Sequence, residues 1–167
     1  LPIGSEGYPR YYLAVSPAVP GTVYVGTYDG VFTLTDSGER WSASSSDPRI
    51  RNVVALAVDP ANPSTVYVAT WNDEGAGSLA LTIFRSADAG KTWTSQGAMP
   101  VRPSFLRVDP TNPSILYAGP YTERLLKSTD AGATWAPADF GLPEGKSVAD
   151  LVVNPADASV LFAGVAD

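Results

Sequence analysis

The chain of 167 residues carries a formal net charge of −6 and has neither cysteine nor histidine. The missing residue types exclude disulfide bonds, a thiolate nucleophile, a Ser-His-Asp triad and metal or haem centres built on cysteine or histidine, so we expect no metal site and no cofactor. The acidic balance disfavours nucleic acid and anionic membranes as partners. The longest apolar run, from Val53 to Val58, is too short for a transmembrane segment.

The predicted elements recur along the chain as one repeated unit. The first unit covers about residues 11–46, the second 52–96 and the third 103–140, and a fourth runs from 148 to 167 with two strands. In the second unit we predict strands at 52–58, 65–70, 78–85 and 92–96, with a turn at 59–64 and a loop at 71–77. Branched and aromatic residues fill the strands, and Asp, Asn and Pro fill the turn.

One eight-residue segment precedes the last strand of the second and third units. Both copies read Ser-x-Asp-x-Gly-x-Thr-Trp, and they span residues 86–93 and 128–135. A degenerate copy at 34–41 keeps the Asp, the Gly and the Trp. The residues that we assign to this motif are Asp36, Gly38, Trp41, Ser86, Asp88, Gly90, Thr92, Trp93, Ser128, Asp130, Gly132, Thr134 and Trp135.

A second recurring motif sets the period of the repeat. The sequences Leu-Ala-Val-Asp-Pro at 56–60 and Leu-Arg-Val-Asp-Pro at 106–110 have weaker echoes that begin at Leu13 and Leu151. The prolines fall at positions 17, 60, 110 and 155, in steps of 43, 50 and 45 residues. This is the length of a four-stranded propeller blade. We therefore predict an all-β fold, a β-propeller segment with three complete blades and half of a fourth, in a single domain over 1–167; an eight-stranded sandwich is the alternative.

The Ser-x-Asp-x-Gly-x-Thr-Trp segments resemble the Asp-box, or BNR repeat. Proteins with this repeat include sialidases, xyloglucanase-type glycoside hydrolases, sortilin-like receptors and YCF48-type assembly factors. The resemblance covers almost the whole chain and implies a propeller fold, whereas function lies in sites that differ among such proteins. We interpret the boxes as structural: the Asp binds turn amides, the Gly takes a positive φ, and the Trp packs between sheets.

Two catalytic motifs of the resembling families can be compared with this chain. Sialidases carry Arg-Ile-Pro before their first box, whereas here Pro48-Arg49-Ile50-Arg51 has a different order and follows the first box. Xyloglucanase-type enzymes carry Thr-Asp-x-Gly-Gly, and here Thr27-Tyr28-Asp29-Gly30 is displaced by one residue and lacks the second Gly. Asp29 is therefore the one catalytic candidate, without an assignable partner carboxylate; the alternative is an ordinary Asp-Gly turn.

The connections after the second strand of each unit are the predicted ligand-binding region. Alignment of the units places an aromatic residue at the same position in three of them, with polar residues beside it. Rings next to amides, carboxylates and guanidinium groups suit a sugar or a peptide strand; the alternative is that the rings only cover blade ends. The candidate residues are Tyr28, Trp71, Asn72, Asp73, Tyr121, Glu123 and Arg124.

No complete catalytic signature is present, so we predict a non-catalytic scaffold that binds a protein or a glycan, within a larger secreted or membrane-associated assembly. A fragment of a glycoside hydrolase is the alternative, with the xyloglucanase type favoured over sialidase. The expected location is extracellular or periplasmic. Because closed propellers use about four to eight blades, we also expect that the remainder of a longer polypeptide or another protein chain completes the ring.

Overall fold

The computed structural model describes residues 10–35, 41–73, 79–120, 124–138, 141–142 and 146–166. This part of the chain consists of strands joined by turns and connecting segments, without helices. It therefore has no helix long and apolar enough to cross a bilayer. The chain is all-β, as the repeat predicts.

Three four-stranded antiparallel sheets follow one another along the chain. Sheet one contains β1 (Tyr12–Val15), β2 (Val23–Gly26), β3 (Val31–Leu34) and β4 (Trp41–Ala43). Sheet two contains β5 (Val53–Val58), β6 (Val66–Asp73), β7 (Leu79–Ser86) and β8 (Thr94–Ala98). Sheet three contains β9 (Pro103–Val108), β10 (Leu116–Pro120), β11 (Leu126–Ser128) and β12 (Ala136–Pro137). Within each sheet every strand pairs with the next one in sequence, which is the up-and-down order of a propeller blade.

The last sheet has two described strands. Sheet four pairs β13 (Ser147–Val153) with β14 (Leu161–Ala166), from Ser147↔Ala166 to Val153↔Leu161. Its pairing matches that of the first two strands in sheets two and three, where Val58 pairs with Val66 and Val108 with Leu116. The architecture is thus three four-stranded blades followed by a two-stranded one.

The turn between the first two strands has the same hydrogen bonds in successive sheets. The Asp59 carboxylate accepts the N–H of Ala61 at 2.9 Å, and Asp109 accepts that of Thr111 at 2.8 Å. Both aspartates are 3% exposed. A buried carboxylate therefore has its turn amides as partners, as the Asp-Pro sequence predicts.

The hydrophobic core lies between neighbouring sheets. Tyr24 and Val31 of sheet one pack against Val68 and Phe84 of sheet two. A second apolar cluster joins sheets two and three, and a third joins sheets three and four. All six residues of β5 are buried. A strand that is apolar at every position needs cover on both faces, and the sheets on either side provide it.

The second strand of sheet two is longer than the sequence predicts. We expected a loop from Trp71 onwards, but β6 continues to Asp73 because Trp71 pairs with Leu81 and Asp73 with Leu79. The prediction of a loop at Trp71, Asn72 and Asp73 was wrong. These residues lie on the end of a strand, where pairing with β7 fixes their backbone.

Candidate functional site

The two complete boxes are closed hydrogen-bond networks. The Ser86 hydroxyl accepts the N–H of Gly90 at 2.8 Å and donates to the Asp88 carboxylate at 2.8 Å. The other carboxylate bonds come from Thr92, whose N–H donates at 2.8 Å and whose hydroxyl donates at 2.7 Å. Ser128, Asp130, Gly132 and Thr134 repeat these contacts with distances between 2.6 and 2.8 Å.

Each box is also attached to its own sheet and to the preceding one. Ala89 and Ala131 have φ of 62° and 60°, and their N–H groups donate to the carbonyls of Ser64 and Ser114 at 2.9 and 2.8 Å. A Cβ on Gly132, whose φ is +98°, would lie 2.8 Å from Cγ2 of Ile83 in sheet two. The box therefore requires glycine both for its backbone conformation and for its contact with the neighbouring sheet.

The box tryptophans face the sheet that precedes them. Trp93 is 6% exposed and belongs to the cluster between sheets one and two. Trp135 is half-buried against the cluster between sheets two and three, and its indole N–H donates to the Gly132 carbonyl at 3.1 Å. In the degenerate box, Trp41 is half-buried in β4, whereas Asp36 and Gly38 lie outside the described residues. The described box side chains thus have structural contacts.

The boxes make the fold sensitive to acid. Hydrogen bonds from the Thr92 hydroxyl, the Thr92 N–H and Ser86 lower the pKa of Asp88 to about 2, and Thr134 and Ser128 lower the pKa of Asp130 to about 2. An aspartate in the unfolded chain has a pKa near 3.9, so the unfolded state binds more protons between these two values. Their contribution to stability is therefore complete above about pH 5 and is lost as the pH falls towards 2.

We expect the urea concentration at the unfolding midpoint to decrease as the pH is lowered from 5 to 2.5. The decrease should be smaller in Asp88→Asn and in Asp130→Asn, because each variant lacks the carboxylate that is protonated at its box. Urea unfolding followed by tryptophan fluorescence at several pH values measures this slope. Identical slopes in the parent and both variants would contradict the assignment.

A cleft of about 730 Å³ lies where sheets one and two meet, and three of the predicted ligand-binding residues line it. Tyr28 is 66% exposed, Trp71 is half-buried, and both line the cleft together with Asn72. The other lining residues are Pro48, Arg49, Arg51, Asn52, Thr82, Phe84 and Ser95. Tyr28 and Trp71, which come from different repeats and lie 43 positions apart in the sequence, thus both line the cleft, whereas the Trp71 ring packs against the cluster between sheets two and three.

Hydrogen bonds of the segment between β4 and β5 hold the two walls of this cleft together. The Asn52 N–H donates to the Tyr28 carbonyl at 2.7 Å, and the Trp71 N–H donates to the Asn52 carbonyl at 3.0 Å. The Asn52 side-chain amide donates to the Trp71 carbonyl. The Asn72 amide donates to the Arg49 carbonyl at 2.7 Å. These bonds fix the backbone that presents Tyr28 and Trp71 before any ligand arrives.

Two arginines line the cleft, and a third lies against the ring of Trp71. Arg49 forms an ion pair of 2.6 Å with Asp47, donates to the Trp93 carbonyl at 3.1 Å and lies over the Phe84 ring. Its hydrogen bond lowers the pKa of the Asp47 carboxyl. Arg102 lies 4.5 Å from the centre of the Trp71 ring. Arg51 also lines the cleft and is exposed.

The catalytic candidate lies in a tight turn. Asp29 is exposed, and its N–H donates to the Thr27 hydroxyl at 3.0 Å, while Thr27 and Gly30 close the turn with a backbone bond of 2.8 Å. Gly30 has a φ of +136°. This geometry is that of an Asp-Gly turn, and Asp29 is outside the set of residues that line the cleft.

Of the remaining predicted residues, Arg124 is not among those that line the cleft. Asp73 ends β6, and Arg124 is an exposed residue shortly before β11. Tyr121 and Glu123 lie outside the described residues. Sequence reasoning missed Asn52, which joins both walls. Its position directly before a buried strand and its φ of 44° mark a backbone constraint, since asparagine adopts positive φ more readily than most residues.

The structure matches solved proteins over most of the chain. It superposes on a GH74 enzyme of Niastella koreensis with a TM-score of 0.70 and 26% identity, covering 92% of this chain and 26% of that one. The GH74 xyloglucanase of Xanthomonas campestris gives 0.68 and 22%, covering 92% and 27%. A β-propeller domain of Cps50 (Swd1) from Myceliophteria_thermophila gives 0.61 and 10%, covering 99% and 51%. The fold is that of a propeller segment.

The chain spans about a quarter of the length of the two GH74 proteins. A structure of YCF48 bound to D1 peptide also matches, with a TM-score of 0.52 and 10% identity over 81% of this chain and 46% of that one. No family model matches the sequence, and no curated protein matches it. The similarity to solved structures therefore shows the propeller fold alone.

Proposed function

We propose that this chain is the non-catalytic, binding part of an Asp-box propeller, and that the cleft between sheets one and two receives a glycan or an extended segment of a partner protein. The observation that carries the proposal is a cleft with hydrogen-bonded walls that is lined by the exposed Tyr28 and by Asn72. A pre-formed cleft loses little conformational entropy when a ligand binds. The extracellular or periplasmic space is its proposed location.

The lining of the cleft suits an extended polar polymer. The exposed Tyr28 ring offers an apolar face with a hydroxyl at its edge, and Arg51 offers a guanidinium. Sugar rings and peptide strands both combine flat apolar surfaces with hydrogen-bonding groups. Among propellers of similar structure, YCF48 has been solved with a peptide.

A fragment of a xyloglucanase-type glycoside hydrolase is the second candidate. The observation that favours it is the match to the two GH74 proteins over 92% of the chain. Asp29 is then the catalytic carboxylate. Two observations argue against the hydrolase. Asp29 lies in a tight turn outside the cleft. No second carboxylate is assigned, although glycoside hydrolysis requires one across the scissile bond.

Incubation with xyloglucan separates the two functions. The binding proposal predicts that the chain releases no reducing ends above a protein-free blank, and that Asp29→Asn behaves identically. Asparagine keeps the turn and removes the charge, so it is a conservative test of the carboxylate. Release of reducing ends by the parent chain that Asp29→Asn abolishes would overturn the proposal in favour of the hydrolase.

A further inference from the structure

Strand β14 has one edge without a partner strand in the part of the chain that the structure describes. It pairs with β13, whereas the corresponding strands β6 and β10 each pair with two neighbours. In sheets two and three the second neighbour is the hairpin that carries the box. Unpaired N–H and C=O groups along a strand edge are a template for another strand.

The turn before β14 has the geometry of the turns that anchor a box. The Asn154 N–H donates to the Val160 carbonyl at 2.9 Å, as Asp59 does to Thr65 and Asp109 to Ile115 at 3.0 Å. The Ser159 N–H donates to the Asp157 carboxylate at 3.0 Å, as Ser64 and Ser114 do to Asn62 and Asn112 at 3.1 and 3.0 Å. Ser159 therefore holds the place of the two serines whose carbonyls bind a box.

A groove of about 710 Å³ lies beside this edge, between sheet three and β14. Leu161, Ala163 and Val165 line one side of it, and Tyr117 and Leu125 line the other. Leu161 and Val165 are 37% and 45% exposed. In the other sheets the equivalent space is filled, since Phe84 and Trp93 pack on sheet one and Leu126 and Trp135 lie in the next interface.

We propose that this groove and the free edge of β14 bind a β-hairpin whose sequence contains the Ser-x-Asp-x-Gly-x-Thr-Trp box and which is not part of the described structure. The hairpin continues the interface already present between sheets one and two and between sheets two and three. Its tryptophan enters the groove, and its residue after the Asp donates its N–H to the Ser159 carbonyl, as Ala89 and Ala131 do to Ser64 and Ser114.

The strand register of sheets two and three indicates which residue types the hairpin carries at further positions. The box serine pairs with the first residue of the second strand, as Ser86 does with Val66 and Ser128 with Leu116, so the incoming serine pairs with Leu161. The residue before each complete box is a cation, because Arg85 pairs with Tyr67 and Lys127 with Tyr117, whereas Thr33 pairs with Tyr24 before the degenerate box. Lys127 lies 5.2 Å from the Tyr117 ring.

The same cation contact is available on sheet four. Phe162 holds the place of Tyr67 and Tyr117 and is 63% exposed, so an incoming Lys or Arg covers its ring. The residue before the cation is apolar, as Phe84 and Leu126 are, and it pairs with Ala163 and points into the groove. The recognised sequence is thus apolar-(Lys/Arg)-Ser-x-Asp-x-Gly-x-Thr-Trp.

An extended chain tests this proposal. When Leu161 is aligned with Val66, Asp167 corresponds to Asn72. A copy of residues 73–98 is therefore fused directly after Asp167. A matched extension carries Asp88→Ala and Trp93→Ala in the copy alone, and a third has the copy in scrambled order. Hydrogen exchange of residues 161–165 is measured in all three and in the unextended chain.

The intact copy is expected to slow exchange in β14 by at least about tenfold relative to both other extensions, because its strand pairs with the free edge. Equal protection by the scrambled copy, or no protection by the intact copy, overturns the proposal. The proposal is also overturned if β14 exchanges slowly in the unextended chain and this protection depends on protein concentration, because a second copy of the chain then occupies the edge.

Discussion

Replacing Trp93 with alanine will lower the free energy of unfolding by about 3–5 kcal/mol, the range measured for large buried aromatic residues. Its ring is 6% exposed and packs in the cluster that contains Tyr24 and Phe84, so its removal opens a cavity between sheets one and two. The indole N–H is buried without a hydrogen-bond partner among the described residues. The loss therefore comes from apolar contact. Urea unfolding monitored by circular dichroism measures it.

Two variants control this measurement. Trp93→Phe keeps a ring in the interface and removes the unpaired N–H, so we expect it to lose clearly less stability than Trp93→Ala. Trp135→Ala removes the tryptophan at the same box position, but that ring is half-buried, and we expect a smaller loss. A loss below about 1 kcal/mol for Trp93→Ala, the range of exposed substitutions, would show that the box tryptophan does not hold the sheets together.

The local motifs made the fold predictable from the sequence. Asp59 and Asp109 bond amides two positions along the chain, and Asp88 and Asp130 bond threonines four positions along. Interactions of this range depend on neighbouring residues alone, so a repeated sequence produces a repeated turn. The spacing of the turns then predicted four-stranded sheets of the correct order.

The site was predictable only in part, because it depends on contacts between repeats. The length of β6 depends on the partners that β7 provides for Trp71 and Asp73, which the composition of 71–77 does not reveal. Asn52 joins Tyr28 to Trp71 through bonds that span 24 and 19 positions. Arg102 stacks on Trp71 from the connection to sheet three. Alignment of repeats found the two rings but not the residues that position them.

Tyr28→Ala will weaken ligand binding by at least about tenfold and leave stability almost unchanged. Its side chain is 66% exposed, so its removal should change the free energy of unfolding by at most about 0.5 kcal/mol. Trp71 is a less suitable target, because it also packs against the cluster between sheets two and three, and its removal will destabilise the fold. Tyr11→Ala is the matched control, since Tyr11 is 37% exposed and is not among the residues that line the cleft. Urea unfolding checks the stability of both variants.

Binding to glycan and peptide arrays tests most directly whether the cleft is a recognition site. The parent chain, Tyr28→Ala and Tyr11→Ala are labelled identically and applied to both arrays at the same concentrations. We predict that the parent and Tyr11→Ala bind the same set of glycans or peptides, and that Tyr28→Ala binds this set at least about tenfold more weakly, as the loss of an aromatic hot spot would cause. Undiminished binding by Tyr28→Ala, or the absence of any bound glycan or peptide with the parent chain, would contradict the account.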